Sequence, residues 1–402
     1  MKKKSMLSSP VFLNFFSSAI AVGIGLIVGF IILLLCDAAH AAPALLSMIS
    51  GGFGINGFSK TMARLLYYST TLIVLGLSIS FAFKTGMLNL GASGQYWLGG
   101  FTAIVIALKT APVFGRATWI VALLGAVIAG GIGAMIPGIL KAYRNVNIII
   151  SFIMMNYIIV YTVSLTIKNS RSIYDQTNAS TLAMDKIAEL PKWGLDKLFP
   201  ARGAGANAGF VIAILAAILI HFIVHHTVFG YELKMCGFSP EAARYAGVNE
   251  KRAIVLSVMI SGMLAGMAGG LYVLANFSSR IAITDMVPGQ GFTGIAVALL
   301  GMASPLGVIL SGLFVSYLNV GGLNLQSYGF ASELIDVILA VIIYSCAFSQ
   351  VIGGWIGRKL LKGTVSETKV EEEELKKHLA GLEASDEQAK QLAGSETKEG
   401  IS

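Results

Sequence analysis

Apolar residues are gathered into long stretches that short polar segments separate, and the stretches carry almost no charge. The first stretch runs from about Ile20 to Cys36. Most stretches approach the roughly 20 residues with which an α-helix crosses about 30 Å of hydrocarbon. The pattern predicts an all-α polytopic membrane protein, with about ten transmembrane helices in a membrane domain at 17–362. The later stretches fall near residues 67–82, 90–108, 117–140, 148–167, 209–227, 253–275, 291–301, 304–320 and 333–355.

Two of these stretches, 67–82 and 291–301, are too short for a comfortable crossing. Each borders a glycine-rich break, which reads GMLNLGASGQ at 86–95 and VPGQG at 287–291. Short helices interrupted by Gly or Pro, in corresponding halves of a chain, mark the midplane binding site of many transporters. We therefore expect broken helices at both positions and a solute pathway beside them.

The N-terminus allows two interpretations. Lysines at positions 2–4 precede the first apolar stretch, and Ala39-His40-Ala41 resembles the cleavage site of a signal peptide. However, the stretch is longer than the roughly 7–15 apolar residues of a signal peptide. A retained signal-anchor helix is therefore favoured, with residues 1–16 in the cytoplasm.

The composition argues against a soluble enzyme, a disordered chain and a disulfide scaffold. Hydrophobic residues make up 55% of the chain and charged residues 12%, whereas a soluble domain carries roughly 25% charged residues. The 46 glycines favour close packing of helices in membrane lipid.

Charge is divided between the membrane part and the tail. Residues 1–362 carry a net charge of +13, and residues 363–402 carry −5. Basic residues in short loops mark the cytoplasmic side, which predicts that both termini and the acidic tail at 363–402 are cytoplasmic. The loop at 168–208 is then extracytoplasmic, although it holds six basic and four acidic residues. The basic residues form no patch interleaved with aromatic residues, so no nucleic-acid partner is expected.

Few residues suit catalysis or metal binding. The three cysteines lie far apart without CxxC spacing, which predicts neither a metal site nor a disulfide framework. The segment GFGINGFSKT at 52–61 resembles a nucleotide-binding P-loop, but its lysine is out of register. Glu333 and Asp336 are expected in the first turn of the last helix, where carboxylates suit the helix N-terminus. No catalytic residue, metal ligand or cofactor is therefore assigned to this chain.

One polar segment between two apolar stretches has the signals of a short helix. In GYELKMCGFSPEAARYAG at 230–247, Ser239 is a suitable N-cap and Pro240 suits the first helical position. Gly247 is a natural helix end. The helix is expected to carry three alanines on its surface, which allow another protein to approach closely, beside charged residues that fix the register.

Four ordered motifs together resemble the permease subunits of ABC importers in the branched-chain amino acid, ribose and nucleoside group. They are the polar segment at 230–252, the break at 86–95, the residues at 145–158 and FTGIAVALLG at 292–301. The resemblance covers roughly 60–345 and is nearest to nucleoside and simple-sugar permeases. One departure is Ile148, which stands where related nucleoside permeases commonly have Glu. The departure leaves open the solute and the choice between a homodimer and a heterodimer.

The resemblance implies a membrane subunit that pairs with a second permease, homologous or identical, in a bacterial plasma membrane. It also implies cytoplasmic ABC ATPases that bind ATP and Mg²⁺, and an extracytoplasmic substrate-binding lipoprotein. The segment at 228–252, called the coupling loop below, would contact the ATPase. The residues assigned to that contact are Gly237, Glu241, Ala242, Ala243, Arg244, Tyr245 and Gly247.

Uncharged hydrogen-bonding residues in or beside the broken helices are expected to line the solute pathway. They are Asn89, Ser93, Gln95, Asn156 and Thr293. Such groups suit a neutral polar solute, and the resemblance favours nucleosides. The alternatives are an importer of a simple sugar or another small polar solute, an ion-coupled secondary transporter, and a membrane scaffold that recruits partners through its tail. The shortage of charged residues within the apolar stretches counts against ion coupling.

Overall fold

The computed structural model describes residues 10–51, 53, 57–199, 206–275 and 279–348. The chain divides into two compact units, one made of residues 1–23 with 348–402 and the other of residues 24–347. The described part of the first unit is essentially the beginning of one helix. The acidic tail and most of the predicted cytoplasmic N-terminus lie outside the described residues.

Helices dominate the described residues, which confirms the all-α prediction. Three short 3₁₀ turns, Gly115–Ala117, Lys186–Ala188 and Asn324–Tyr328, lie between them. Strands β1 (Tyr174–Asp175) and β2 (Ser180–Thr181) form a small antiparallel pair within the loop at 168–208. The helices are α1 (Pro10–Cys36), α2 (Ala38–Ile49), α3 (Phe58–Phe83), α4 (Ala92–Phe114), α5 (Thr118–Arg144), α6 (Ile148–Asn169), α7 (Leu195–Leu198), α8 (Gly209–His226), α9 (Val228–Phe238), α10 (Pro240–Tyr245), α11 (Glu250–Leu274), α12 (Gln290–Leu300), α13 (Pro305–Leu323) and α14 (Ser332–Ala347).

Within the described residues, six helical segments are long and apolar enough to cross a membrane. The segment Ala92–Arg144 contains both α4 and α5, and α2, α12 and the Ile20–Cys36 part of α1 are shorter apolar helices. The chain is therefore a multi-pass membrane protein, and the count of ten crossings stays a prediction. The six segments are Phe58–Phe83, Ala92–Arg144, Ile148–Asn169, Gly209–His226, Glu250–Leu274 and Pro305–Tyr328.

One length prediction was wrong. The stretch at 67–82 belongs to α3, which begins at Phe58 and has 26 residues, enough to cross the hydrocarbon. The apolar pattern does not reveal the first turns of α3, because Lys60 and Arg64 are charged. Both residues nevertheless have a high helix propensity.

Residues 84–91 and 279–289 contain no α-helix, so the chain is interrupted at both predicted positions, called the first and the second break below. The helices resume earlier than predicted, at Ala92 and Gln290, and the first break follows a full-length helix instead of a short one. Helix α12, which follows the second break, has only 11 residues. At 1.5 Å per residue it spans roughly 16 Å, about half of the hydrocarbon thickness.

Helix α11 packs against α3, α4 and α5. At several glycines its backbone directly touches the backbones of α4 and α5. A Cβ at Gly99 of α4 would collide with the Gly266 backbone, and a Cβ at Gly130 of α5 would collide with the Gly262 carbonyl oxygen. Small residues allow membrane helices to approach this closely, which confirms the packing role expected of the glycines.

The loop at 168–208 packs against the second break. The Thr181 backbone N–H donates to the Ile281 carbonyl at 2.9 Å, and Asp175 forms an ion pair with Arg280. The break is therefore held from outside the helical bundle as well as by its flanking helices.

Candidate functional site

A cavity of about 750 Å³ lies between α3, α11, α12, α13 and α14. Its volume falls within the roughly 300–1,000 Å³ of small-molecule sites. Among the described residues, the walls combine aromatic rings, hydroxyls and amides with a single carboxylate. Such a lining suits a solute with a planar ring and several hydrogen-bonding groups. The polar and aromatic lining residues are Tyr68, Thr71, Tyr272, Gln290, Phe292, Thr293, Asn319, Asp336 and Tyr344.

The short helix α12 forms one wall of the cavity. Its Gly294 packs against α3, where a Cβ would lie 2.8 Å from the Leu75 side chain. Thr293, the preceding residue, lies on the cavity wall. The Thr293 hydroxyl is 3.5 Å from the Gly289 carbonyl oxygen, at the outer limit for a hydrogen bond, so it is free to bond a solute.

Asn89 and Gln95 lie in the interior and form a buried pair. The Asn89 Nδ2 donates to Gln95 Oε1 at 2.8 Å, and the Gln95 Nε2 donates back to Asn89 Oδ1 at 3.2 Å. Asn89 Nδ2 also donates to the Ser261 hydroxyl of α11 at 2.8 Å. The pair therefore ties the first break to α11.

Asn156 and Ser93 complete this interior arrangement. The Asn156 side chain accepts from the Gly94 backbone N–H and donates to the Leu90 carbonyl, both at 2.9 Å. Ser93 lies so close to Gly291 that a Cβ there would collide with it. The buried Ser93 hydroxyl has no hydrogen-bond partner within the described part of the chain. These contacts connect the first break to α6 and to the start of α12.

The five predicted pathway residues thus fall into two groups. Thr293 lines the cavity, whereas Asn89, Ser93, Gln95 and Asn156 are at most 3% exposed and hold the first break in place. In this conformation those four residues are too buried to touch a solute, so their direct contact with a solute stays a prediction.

The coupling loop folds into α9, α10 and the start of α11. The Ser239 hydroxyl accepts from the Ala242 backbone N–H at 3.3 Å, and Pro240 is the first residue of α10. Gly247 has a φ of +83°, a conformation that favours glycine. The predicted helix start and stop are therefore confirmed.

The surface of α10 differs from the expectation at one residue. Ala243 is fully buried, so the prediction that all three alanines lie on the surface was wrong, because one face of this short helix packs into the apolar core. Glu241 and Ala242 are exposed, and the Tyr245 ring is 94% exposed. Arg244 donates to Glu250 at 2.8 Å, which fixes α10 relative to α11.

The coupling loop touches the first break directly. A Cβ at Gly237 would collide with the Lys84 carbonyl oxygen, and Gly86 faces the Gly237 backbone. Burial lowers the pKa of the Lys84 ammonium, and the nearby positive charge of Lys234 lowers it further.

The start of α11 contacts the end of α5. Lys251 lies over the Tyr143 ring, 5.3 Å from its centroid.

The family described as branched-chain amino acid transport system, permease component, matches residues 61–347. This chain belongs to that permease family. It is 34% identical to the guanosine ABC transporter permease protein NupP of Bacillus subtilis over 337 residues, which cover 80% of this permease and 94% of the relative.

Two further relatives are named for other solutes. The nucleoside ABC transporter permease protein NupB of Lactococcus lactis is 32% identical, over 74% of this permease and 81% of the relative. The glucose ABC transporter permease protein TsgB13 of Haloferax volcanii is 28% identical, over 70% and 74%. No solved structure matches this permease.

Ile148 lies in apolar surroundings. Ile148 is the first residue of α6 and belongs to a buried cluster with Phe152 and Val258, against which Met87 and Leu90 of the first break pack. The residue at this position therefore supports the break and does not line the cavity.

Of the nine polar and aromatic lining residues, sequence reasoning assigned only Thr293 to the solute pathway. The eight that it missed include Tyr68, Tyr272, Asn319 and Asp336. Asp336 offered a signal, because an ionisable residue in an apolar stretch is functional by default. Glu333 lies in the first turn of α14 as expected. Asp336 lies beyond that turn, on the cavity wall, so the prediction of a first-turn role for Asp336 was wrong.

Proposed function

We propose that this permease is the membrane subunit of an ATP-driven importer that takes up nucleosides. The observation that carries the proposal is the cavity, where rings of Tyr68, Tyr272 and Phe292 lie near the hydroxyl of Thr293 and the amide of Asn319. A nucleoside has a flat apolar base and a ribose with several hydroxyls. Aromatic rings stack on bases of any sequence, and polar groups at a few positions fix a ligand's orientation.

The relatives support the same solute class. A guanosine permease and a nucleoside permease are among them, and the glucose permease supports a simple sugar as the second candidate. The aromatic walls favour nucleosides over sugars, because a base offers a planar face for stacking and a monosaccharide does not.

The energy source in this proposal lies on other chains. Two cytoplasmic ABC ATPases bind ATP and Mg²⁺, a second permease completes the membrane part, and an extracytoplasmic lipoprotein delivers the solute. In this proposal the coupling loop faces the ATPases, and both termini lie in the cytoplasm of a bacterial plasma membrane. The permease itself supplies no catalytic residue and holds no cofactor.

The contacts around the first break offer a route from the coupling loop to the cavity. Gly237 touches Lys84 at one end of the break, and Ser93 touches Gly291 at the other. Gly291 is the second residue of α12, the helix that carries Thr293. ATP shifts the importer between conformations only if the ATPases contact the two conformations differently, and this route transmits that difference.

The proposal is tested in vesicles that contain both permeases, the ATPases and the lipoprotein. We expect uptake of radiolabelled nucleosides that requires ATP and survives an ionophore. Glu241→Lys, at the surface of α10, should leave ATP hydrolysis running without uptake. Asp185→Lys, which changes another exposed carboxylate, in the loop at 168–208, is the control and should transport normally.

Two results would contradict the proposal. Uptake by the permease alone that stops when the ion gradient collapses would replace it with ion-coupled transport. Normal uptake by Glu241→Lys would remove the coupling loop from the ATPase contact.

A further inference from the structure

Asp336 lines two neighbouring spaces. One is the main cavity and the other is a smaller recess of about 90 Å³, and both are also lined by Tyr68, Asn319 and Leu339. The recess therefore borders the proposed nucleoside cavity, and Asp336 lies between the two.

Asp336 has no ion-pair or hydrogen-bond partner among the described residues. It is the fifth residue of α14, past the helix N-terminus that would stabilise a carboxylate. A carboxylate within an apolar helix is costly and marks a function by default. Asp336 is exposed, so its two oxygens are accessible to hydrogen-bond donors of a solute in the cavity.

Two amides share the recess with Asp336. The Asn319 Nδ2 donates to the Val315 carbonyl at 3.0 Å, which leaves its second N–H for a solute. Gln326, in the 3₁₀ turn after α13, lines the same recess. Next to the carboxylate, which only accepts hydrogen bonds, the recess therefore also offers N–H donors.

We propose that Asp336 reads the base of the solute and selects nucleosides whose base carries adjacent N–H donors, as guanine does. This inference rests on the proposed nucleoside transport. The two carboxylate oxygens accept from the N1–H and the N2 amino group of guanine as a bidentate pair. The amide N–H of Asn319 or Gln326 donates to the O6 carbonyl, and the Tyr68 ring borders the base.

The other common bases fit this arrangement less well. Adenine and cytosine present a ring-nitrogen lone pair beside their amino group, and that lone pair repels a carboxylate. Uracil offers one N–H between two carbonyl oxygens. Hypoxanthine, the base of inosine, keeps the N1–H and O6 of guanine but lacks the amino group. It can therefore make the contact from N1–H to Asp336 but not the contact from the amino group.

Asp336→Asn distinguishes the two purine nucleosides. The asparagine oxygen still accepts from N1–H, but its NH₂ group then opposes the N2 amino group of guanine. A bidentate contact to a base discriminates by roughly tenfold or more. We expect ATP-dependent uptake of guanosine to fall roughly tenfold and uptake of inosine to change little.

The measurement is the initial uptake rate in vesicles with the complete importer, with the lipoprotein saturated by guanosine or by inosine so that its affinity does not set the ratio. Glu333→Gln, a carboxylate one turn away in α14 that lines neither space, should leave the guanosine-to-inosine ratio unchanged. Asp336→Glu keeps the two acceptors and should retain the preference.

The outcomes separate this inference from the proposed function. An equal loss of guanosine and inosine uptake in Asp336→Asn, or no change in either, overturns base reading by Asp336 and leaves nucleoside import standing. Absence of uptake of every nucleoside by the unmodified importer overturns the proposed function and base reading together.

Discussion

Thr293 and Thr166 differ in what their hydroxyl groups contact. The Thr166 hydroxyl donates to the Thr162 carbonyl at 2.7 Å within α6 and lies on an exposed face, whereas the Thr293 hydroxyl faces the cavity with a carbonyl no nearer than 3.5 Å. Thr293→Val preserves the shape and removes the donor. A lost hydrogen bond costs about 0.5–1.5 kcal/mol, so we expect the apparent KM for nucleoside uptake to rise roughly two- to tenfold.

Thr166→Val is the control, with the same change of side chain, and should leave the apparent KM unchanged. Equal effects of the two substitutions would mean that the Thr293 hydroxyl acts through helix stability. A fall in the maximal rate alone would place it in the conformational change instead of in solute binding.

Residue chemistry identified the uncharged polar groups of the broken segments but not the direction in which each one points. Asn89 and Asn156 are both amides beside the first break, and both are buried and hydrogen-bonded to the break or to neighbouring helices. Asn319, near the C-terminal end of α13, lines the cavity although its local sequence gives no signal. Orientation depends on which helices pack around a residue, and the sequence pattern of one helix does not contain that information.

At the scale of elements, the contact between α9 and the first break allows a sharp test. Gly237→Ala places a methyl group against the Lys84 carbonyl oxygen, and a backbone atom cannot swing away. Overpacking of this kind costs about 1–3 kcal/mol. We expect a lower melting temperature and ATP hydrolysis that no longer drives uptake, measured as the ratio of the two rates in vesicles.

Gly23→Ala is the matched control, because a Cβ there meets no atom of the described residues within 4 Å and alanine favours the helix. It should hydrolyse ATP and transport normally. If Gly237→Ala did the same, the coupling loop would not act on the first break.

Some helix boundaries could be predicted from the sequence and others could not. Ser239, Pro240 and Gly247 act on their immediate neighbours, so the short helix α10 was predictable from them. Helix α3 begins nine residues before its apolar stretch. Polar residues are tolerated in the first turns of a buried helix, so hydropathy alone did not locate its start. The burial of Ala243 required knowledge of the core beneath α10.

For the whole molecule, the competing idea is a scaffold that recruits partners through its acidic tail at 363–402. Removal of those 40 residues would abolish the function of a scaffold. The importer places transport in the membrane helices and coupling in the coupling loop, so we expect the truncated chain to transport at close to the full rate. Uptake in vesicles and copurification of the ATPases measure this directly, and loss of either would favour the scaffold.

The backbone contacts between α11 and its neighbours at Gly99, Gly130, Gly262 and Gly266 also restrict how the molecule moves. Helices separated by side chains slide by changing rotamers, but helices that touch through their backbones have no such layer to rearrange. We therefore expect α4, α5 and α11 to move together. Opening and closing of a passage is then expected to use the short α12 and the non-helical breaks.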